Sequence, residues 1–80
     1  MKTTETTLLR EYSRDELILM LSMVRRKFSR PPLSVPTFYR WADQLSISPK
    51  HRYSESDARR LMLLCCHYSQ GGKASNLPNI

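Results

Sequence analysis

Four polar side chains in the stretch SVPTFYRWADQLSIS, residues 34–48, have types and spacing that suit contact with the base edges and phosphates of DNA. Arg40 and Gln44 stand four positions apart, so on a helix they share one face and could enter one groove. Arginine joined to guanine by two hydrogen bonds is the commonest specific contact in the major groove. Thr37 lies one turn earlier, where a hydroxyl meets a phosphate or a thymine methyl group, and the Tyr39 hydroxyl could bond a phosphate. We predict a helix that contacts DNA.

The apolar residues of the same stretch recur at helical spacing. One face of the predicted helix carries Val35, Phe38, Trp41, Ala42 and Leu45. Phe38 and Trp41 are therefore expected in the core, with Arg40 and its polar neighbours facing outward. A solvated polar face on an ordinary helical bundle would show the same division, so that alternative stays open.

Two further groups of cations lie on either side of this helix in the sequence. In the connector SISPKHRY, residues 46–53, we expect Lys50, His51 and Arg52 to lie over the DNA backbone or the minor groove. This connector is too polar for the core, and it is predicted to be either a tight basic loop or a small two-stranded wing. The second group lies near the end of an earlier helix and could equally be a phosphate clamp or a solvated helix end; it comprises Arg25, Arg26, Lys27 and Arg30.

Metal binding and catalysis find no support in the residues. Cys65, Cys66 and His67 are adjacent, but neighbouring residues on a helix diverge by about 100° and converge poorly on one tetrahedral ion. Cys65 is predicted to be a small buried hydrophobe instead. His51 has no nearby nucleophile or carboxylate pair that would make it catalytic. We therefore expect no enzyme activity, no cofactor and no metal.

Caps and apolar spacing predict three helices that position these residues. SRDE at residues 13–16 predicts a capping box, and the helix that follows ends at RPP, residues 30–32. Ser34 can cap a second helix, with Pro36 in its first turn, and SESD at residues 54–57 offers the cap of a third. We predict a flexible arm over residues 1–12, one mainly α domain over residues 13–70 and a flexible tail over residues 71–80.

Composition limits the class of protein. Eighty residues suffice for one small domain, and thirteen Lys and Arg against seven Asp and Glu give a net charge of +6. Such an excess favours a polyanionic partner, either nucleic acid or an anionic membrane surface. The cations of the first helix cluster at its end rather than along one face, so no membrane partner is expected. No apolar run is long enough for a transmembrane helix or a signal peptide, and two adjacent cysteines cannot build a disulfide framework. A cytoplasmic, nucleoid-associated protein is expected.

Two segments, SVPTFYRW and HRYSESDARRL, together resemble the DNA-binding domain of the MerR and excisionase-like winged-helix superfamily. The recognition helix of that superfamily follows Ser-x-x-Thr-aliphatic-Tyr/Arg-x-Trp/Tyr, and after a wing Arg-x-Tyr-Ser-x-x-Asp opens the next helix. The first signature is matched by Ser34, Thr37, Phe38, Tyr39, Arg40 and Trp41. The second is matched by Arg52, Tyr53, Ser54, Asp57 and Leu61. The likeness covers about residues 33–64 and implies a three-helix helix-turn-helix or winged-helix domain with a short loop or a minimal β-wing.

This chain departs from the superfamily in three respects. Its first helix is long, the connector SRPPLS lacks the usual glycine, and no long dimerisation helix or effector domain follows. The resemblance therefore implies a small transcription or recombination accessory factor on double-stranded DNA, bound cooperatively by several copies, rather than a metal- or drug-sensing activator. The alternative is a protein–protein adaptor that docks a larger regulator or polymerase through exposed Leu19 and Met23 or through the C-terminal tail.

Overall fold

Three helices and a small antiparallel sheet make up the fold, as predicted. The structure is a computed structural model that describes residues 10–77 and residue 80. The elements are β1 (Glu11–Tyr12), α1 (Arg14–Lys27), α2 (Val35–Gln44), β2 (Tyr53–Ser54) and α3 (Glu55–Ser69), followed by a short 3₁₀ helix (Ala74–Asn76). No helix in this part of the chain has the length and apolar character needed to cross a membrane.

Side-chain caps begin all three helices at the predicted serines. In α1 the Glu16 amide donates to Ser13 Oγ at 3.1 Å, and the Ser13 amide donates to the Glu16 carboxylate at 2.8 Å. Ser54 and Asp57 form the same reciprocal pair at the start of α3. At the start of α2 the Thr37 amide donates to Ser34 Oγ at 3.3 Å. Each cap satisfies an amide that has no partner within its helix, which is typically worth about 1 kcal/mol.

The helices also end in one common way, with a left-handed residue that turns the chain back. Ser29 and Ser46 have φ values of 59° after α1 and α2, and Gly71 has 91° after α3. After α1 the amide of Arg30 donates to the carbonyl of Arg25, and the other two ends repeat this pattern. These are Schellman motifs, in which glycine is favoured because a Cβ is strained at positive φ. The connector without glycine therefore places a serine in the conformation that glycine prefers.

The sheet corrects two sequence expectations. Tyr12 pairs with Tyr53 and Glu11 with Ser54, so β1 joins the start of the chain to the end of the connector. The flexible arm predicted for residues 1–12 is therefore wrong at residues 11–12, while residues 1–9 lie outside the described part. The connector supplies only one strand, so the sheet is not a hairpin within residues 46–53. Tyr12 is buried because its ring covers the core beside Tyr53, a contact across 41 positions that local spacing could not reveal.

The core lies between the three helices and is closed by the sheet. Its buried side chains are Tyr12, Leu17, Leu21, Leu33, Phe38, Trp41, Ala42, Leu45, Ile47, Tyr53, Ala58, Leu61, Leu64 and Cys65. The connector was expected to be too polar for this core, and Ile47 and Tyr53 correct that expectation. The Tyr53 ring meets Phe38 edge to face at 5.6 Å. Val35 was expected on the buried face of α2 but is 40% exposed, because it lies at the end of the helix, beyond the packed turns.

The predicted tail carries local structure of its own. The amide of Gly72 donates to the carbonyl of His67, and the His67 ring lies 2.9 Å from the carbonyl oxygen of Lys73. Ile80 is half-buried and packs against the core. Gly72 and Lys73 thus contact the end of α3, Ile80 contacts the core, and residues 78–79 lie outside the described part.

Candidate nucleic-acid interface

Helix α2 has a polar outer face and a tightly packed inner face. Phe38 is fully buried and Trp41 is 5% exposed, and the Trp41 ring contacts Tyr68 with centroids 5.4 Å apart. These contacts fix the rotation of the helix. Arg40 projects on the opposite side into solvent and makes no ion pair or side-chain hydrogen bond with any described residue. The predicted division of this helix into a core face and an outer face is confirmed for Phe38, Trp41 and Arg40.

Thr37 and Gln44 lie on the same side of α2 as Arg40, and each already has one partner in the fold. Gln44 is exposed, and its Oε1 accepts from the Tyr68 hydroxyl at 2.8 Å. This contact orients the amide and leaves its NH₂ group to donate outward. The Thr37 hydroxyl oxygen accepts from Ser34 Oγ at 2.9 Å, which leaves its own hydrogen available. The predicted trio is therefore brought together on one surface, with two members held in place.

Tyr39 faces a different direction from this trio. It is half-buried, meets Phe38 edge to face at 5.4 Å, and its hydroxyl accepts from Arg14 Nη1 at 3.4 Å. The two side chains line an open cleft of about 580 Å³, whose remaining walls come from Ser13, Asp15, Pro49, Lys50 and His51. The hydrogen bond to Tyr39, and after it the one to Asp15, raises the pKa of Arg14 above its usual value. The cleft therefore holds a charged guanidinium next to the tyrosine, and this guanidinium forms an ion pair with Asp15 at 3.2 Å.

The connector places its cations beside this cleft. Tyr53 anchors the segment, because its buried hydroxyl accepts from the amide of Lys50 at 3.3 Å. Lys50 Nζ forms an ion pair with Asp57 at 3.2 Å, so part of its charge is used within the fold. His51 and Arg52 are exposed, and Arg52 has no ion pair within residues 10–77. Two of the three predicted connector residues are thus available to an outside partner, and Lys50 is available only in competition with Asp57.

The cationic cluster at the end of α1 is divided by the fold. Arg25 Nε donates to the carbonyl of Pro31 at 2.7 Å, and its guanidinium lies 5.8 Å from the Trp41 ring centroid. Arg30 Nε donates to the carbonyl of Ser69, at the end of α3, at 3.1 Å. Arg26 and Lys27 are exposed and lack ion pairs among the described residues. Two of the four cations therefore donate to main-chain carbonyls of the fold, so the cluster is not wholly solvated.

Sequence reasoning missed the contacts of Arg14 and Arg60. Arg60 Nη2 donates to the carbonyl of Leu45 at 2.8 Å. That carbonyl ends α2 and has no helical donor. Arg14 meets Tyr39 across 25 positions. No local pattern indicates either contact, because the partners come from different helices.

The side chains of Cys65 and His67 contact other parts of the fold. Cys65 is fully buried, as predicted, and burial raises the pKa of its thiol above the usual value. Its Sγ lies 3.5 Å from the carbonyl oxygen of Leu21. His67 contacts the tail rather than the cysteines. Within residues 10–77 no group of three or more His, Cys, Asp or Glu side chains could hold a metal ion.

Searches against protein-family models, curated proteins and solved structures found no significant match to the chain. The likeness to the MerR and excisionase-like superfamily therefore rests on the residues of the two segments alone.

Proposed function

We propose that the chain is a small sequence-specific double-stranded DNA-binding protein that acts as a transcription or recombination accessory factor. The carrying observation is Arg40, an arginine without a side-chain partner among the described residues, in the middle of an outer helix face whose rotation is fixed by Phe38 and Trp41. A rigid helix with an outward arginine is what bidentate contact with guanine in the major groove requires. Its place of action would be the DNA of the cytoplasm or nucleoid.

Base contact and phosphate contact are assigned to different residues in this proposal. Arg40 and Gln44 would meet base edges, and Thr37 would meet a phosphate or a thymine methyl group. The cleft beside Tyr39 supports phosphate binding, because Arg14, Lys50 and His51 line it and Arg52 is next along the connector. A phosphate there competes with Asp15 for Arg14 and with Asp57 for Lys50. Arg25 and Arg30 are left out of the DNA surface, since both donate to carbonyls of the chain itself.

A salt series with duplex DNA tests the proposal. If about four to six phosphates are contacted, log K against log salt should slope roughly −4 to −5. After selection of a preferred site, Arg40→Ala should weaken binding to that site by about 1–3 kcal/mol and relax discrimination there. Arg52→Ala should weaken specific and random duplexes alike. Fluorescence anisotropy measures both affinities for each variant.

Arg59→Ala is the matched control, because Arg59 is exposed on α3 and lies in a groove lined by Tyr12, Met20 and Leu63, away from the α2 surface. It removes the same charge and should leave site preference unchanged. Circular dichroism checks that every variant is folded. A wild-type chain that binds no duplex at low salt, or an Arg40→Ala variant with unchanged affinities, would contradict the assignment of α2 as the DNA-contacting helix.

The second candidate is a protein–protein adaptor, and one observation favours it. Leu19 is 63% exposed and Met23 is 59% exposed on α1, an unusual pair for a solvated helix face. In this function α1 would dock a larger regulator or polymerase. A wild-type chain that binds no duplex DNA would favour the adaptor function.

A further inference from the structure

The outer face of α1 has an arrangement that the DNA surface does not use. Leu19 and Met23 are one turn apart, on the side of the helix opposite the buried Leu17 and Leu21. Large apolar side chains exposed in this way usually mark a contact surface. The question is which partner fits them.

Charges of opposite sign flank this apolar pair. Asp15 and Glu16 lie in the first turn of α1, and Arg26 and Lys27 lie in the last. Asp15 and Arg26 are eleven positions apart, about three whole turns, and so are Glu16 and Lys27. Asp15 and Arg26 therefore lie along one edge of the apolar pair, and Glu16 and Lys27 lie along the other.

The apolar pair and the two charged edges share one centre along the helix axis. The midpoints of the Leu19–Met23 pair, the Asp15–Arg26 edge and the Glu16–Lys27 edge fall within about half a residue of position 21, or less than about 1 Å along the axis. A twofold axis through that point would set α1 antiparallel to the α1 of a second copy. Leu19 would pack against Met23 of the second copy, Asp15 would face its Arg26, and Glu16 would face its Lys27.

We propose that two copies of this chain associate in solution through antiparallel packing of their α1 helices. The surface is complementary to itself, which is the requirement of a twofold interface. A parallel pair would place carboxylate beside carboxylate and cation beside cation. Arg26 and Lys27 then bind carboxylates of the second copy rather than phosphates, which separates them from the DNA surface. The proposal does not depend on DNA binding.

The dimer should be weak. Helix α1 has 14 residues and is about 21 Å long, so one helix pair falls below the area of a standard protein–protein interface. We expect a dissociation constant on the order of 10–100 µM, measured by sedimentation equilibrium without DNA. Added salt should raise it moderately, because the edge pairs are exposed while the apolar contact persists.

A charge exchange on one edge tests the register. Asp15→Arg and Arg26→Asp each place like charges face to face twice in the dimer, and each should raise the dissociation constant at least about tenfold. The D15R/R26D double variant restores opposite charges and should return to within about threefold of the wild type. Asp15 is chosen over Glu16 because Glu16 belongs to the capping box of α1, whereas the Asp15 side chain is 81% exposed and its one partner within the described residues is the neighbouring Arg14.

Two further variants complete the experiment. Leu19→Gln should abolish the dimer while the fold persists, because the side chain is largely exposed. Arg52→Asp makes the same charge change as Arg26→Asp but lies in the connector, so it should leave the dimer unaffected. A wild type that stays monomeric to about 300 µM, or a double variant that fails to recover, would overturn the proposal. Monomeric behaviour would leave the α1 face to the partner of the adaptor function.

Discussion

Two sets of arginines in this small domain serve different purposes, since one set donates to main-chain carbonyls and the other is exposed without an ion pair among the described residues. Arg25, Arg30 and Arg60 each donate to a main-chain carbonyl, at Pro31, Ser69 and Leu45 respectively. Arg26, Arg40 and Arg52 are exposed and have no ion pair among the described residues.

The difference has a physical cause. The carbonyls of Ser69 and Leu45 end α3 and α2, where they have no donor within the helix and lie at the negative end of its dipole, so a guanidinium supplies both the missing donor and a favourable charge. The carbonyl of Pro31 lies in the connector after α1, and Arg25 supplies its donor. Such an arginine stabilises the fold and has fewer donors left for a phosphate. Net charge alone therefore overstates the cationic surface that a partner can use, and the free arginines are the ones to test for binding.

The largest effect should come from the ring that Arg25 covers. Trp41→Ala should lower the free energy of unfolding by about 3–5 kcal/mol, because it removes a buried indole packed on Tyr68. Arg40→Ala, one residue earlier, should change it by less than about 0.5 kcal/mol. Urea denaturation followed by circular dichroism compares the two. Equal stabilities would mean that the inner and outer faces of α2 have been exchanged.

A smaller effect separates two adjacent arginines on α3. Arg60→Ala should cost about 1–3 kcal/mol of stability, because the carbonyl of Leu45 loses a charged donor. Arg59→Ala is the control, since Arg59 is exposed and makes no side-chain hydrogen bond within the described residues. The same denaturation experiment applies. If the two variants are equally stable, the hydrogen bond from Arg60 to the carbonyl of Leu45 does not stabilise the fold.

The salt dependence of DNA binding should distinguish the exposed arginines from those that donate to carbonyls. Arg52→Ala should reduce the slope of log K against log salt by about one, as expected for a lost phosphate contact. Arg30→Ala should leave the slope unchanged and lower stability by about 1 kcal/mol instead, because its Nε donates to Ser69. Duplex titrations at several salt concentrations measure the slope. A slope reduced by both substitutions would show that Arg30 leaves its carbonyl for the DNA.

The smallest effect concerns the turn between Arg26 and Arg30. Ser29 holds a left-handed conformation there, and Ser29→Gly should raise stability by about 0.5–1 kcal/mol by relieving strain at positive φ. Ser46→Gly should behave alike after α2. Ser48→Gly is the control, because Ser48 does not have a positive φ. Thermal unfolding detects the change, and a destabilised Ser29→Gly variant would show that the serine is needed to keep Arg30 in place.

Local sequence determined the parts of the fold that depend on neighbours along the chain. Ser13, Ser34 and Ser54 cap the three helices as predicted, because a cap needs only a residue and the amide three positions on. The period of apolar residues likewise placed Phe38 and Trp41 inside and Arg40 outside. The cap and the apolar period both depend on residues within one or two helical turns of each other.

Tertiary contacts decided what lies far apart in sequence. The pairing of Tyr12 with Tyr53, the burial of Ile47 and the contact of Arg14 with Tyr39 each join separate elements, so no local pattern predicts them. The same holds for the division of the α1 cluster, in which Arg30 is committed because α3 happens to end beside it. Residue type and spacing determine which side chains can bind an outside partner, whereas only the packed chain decides which of them are already bound within it.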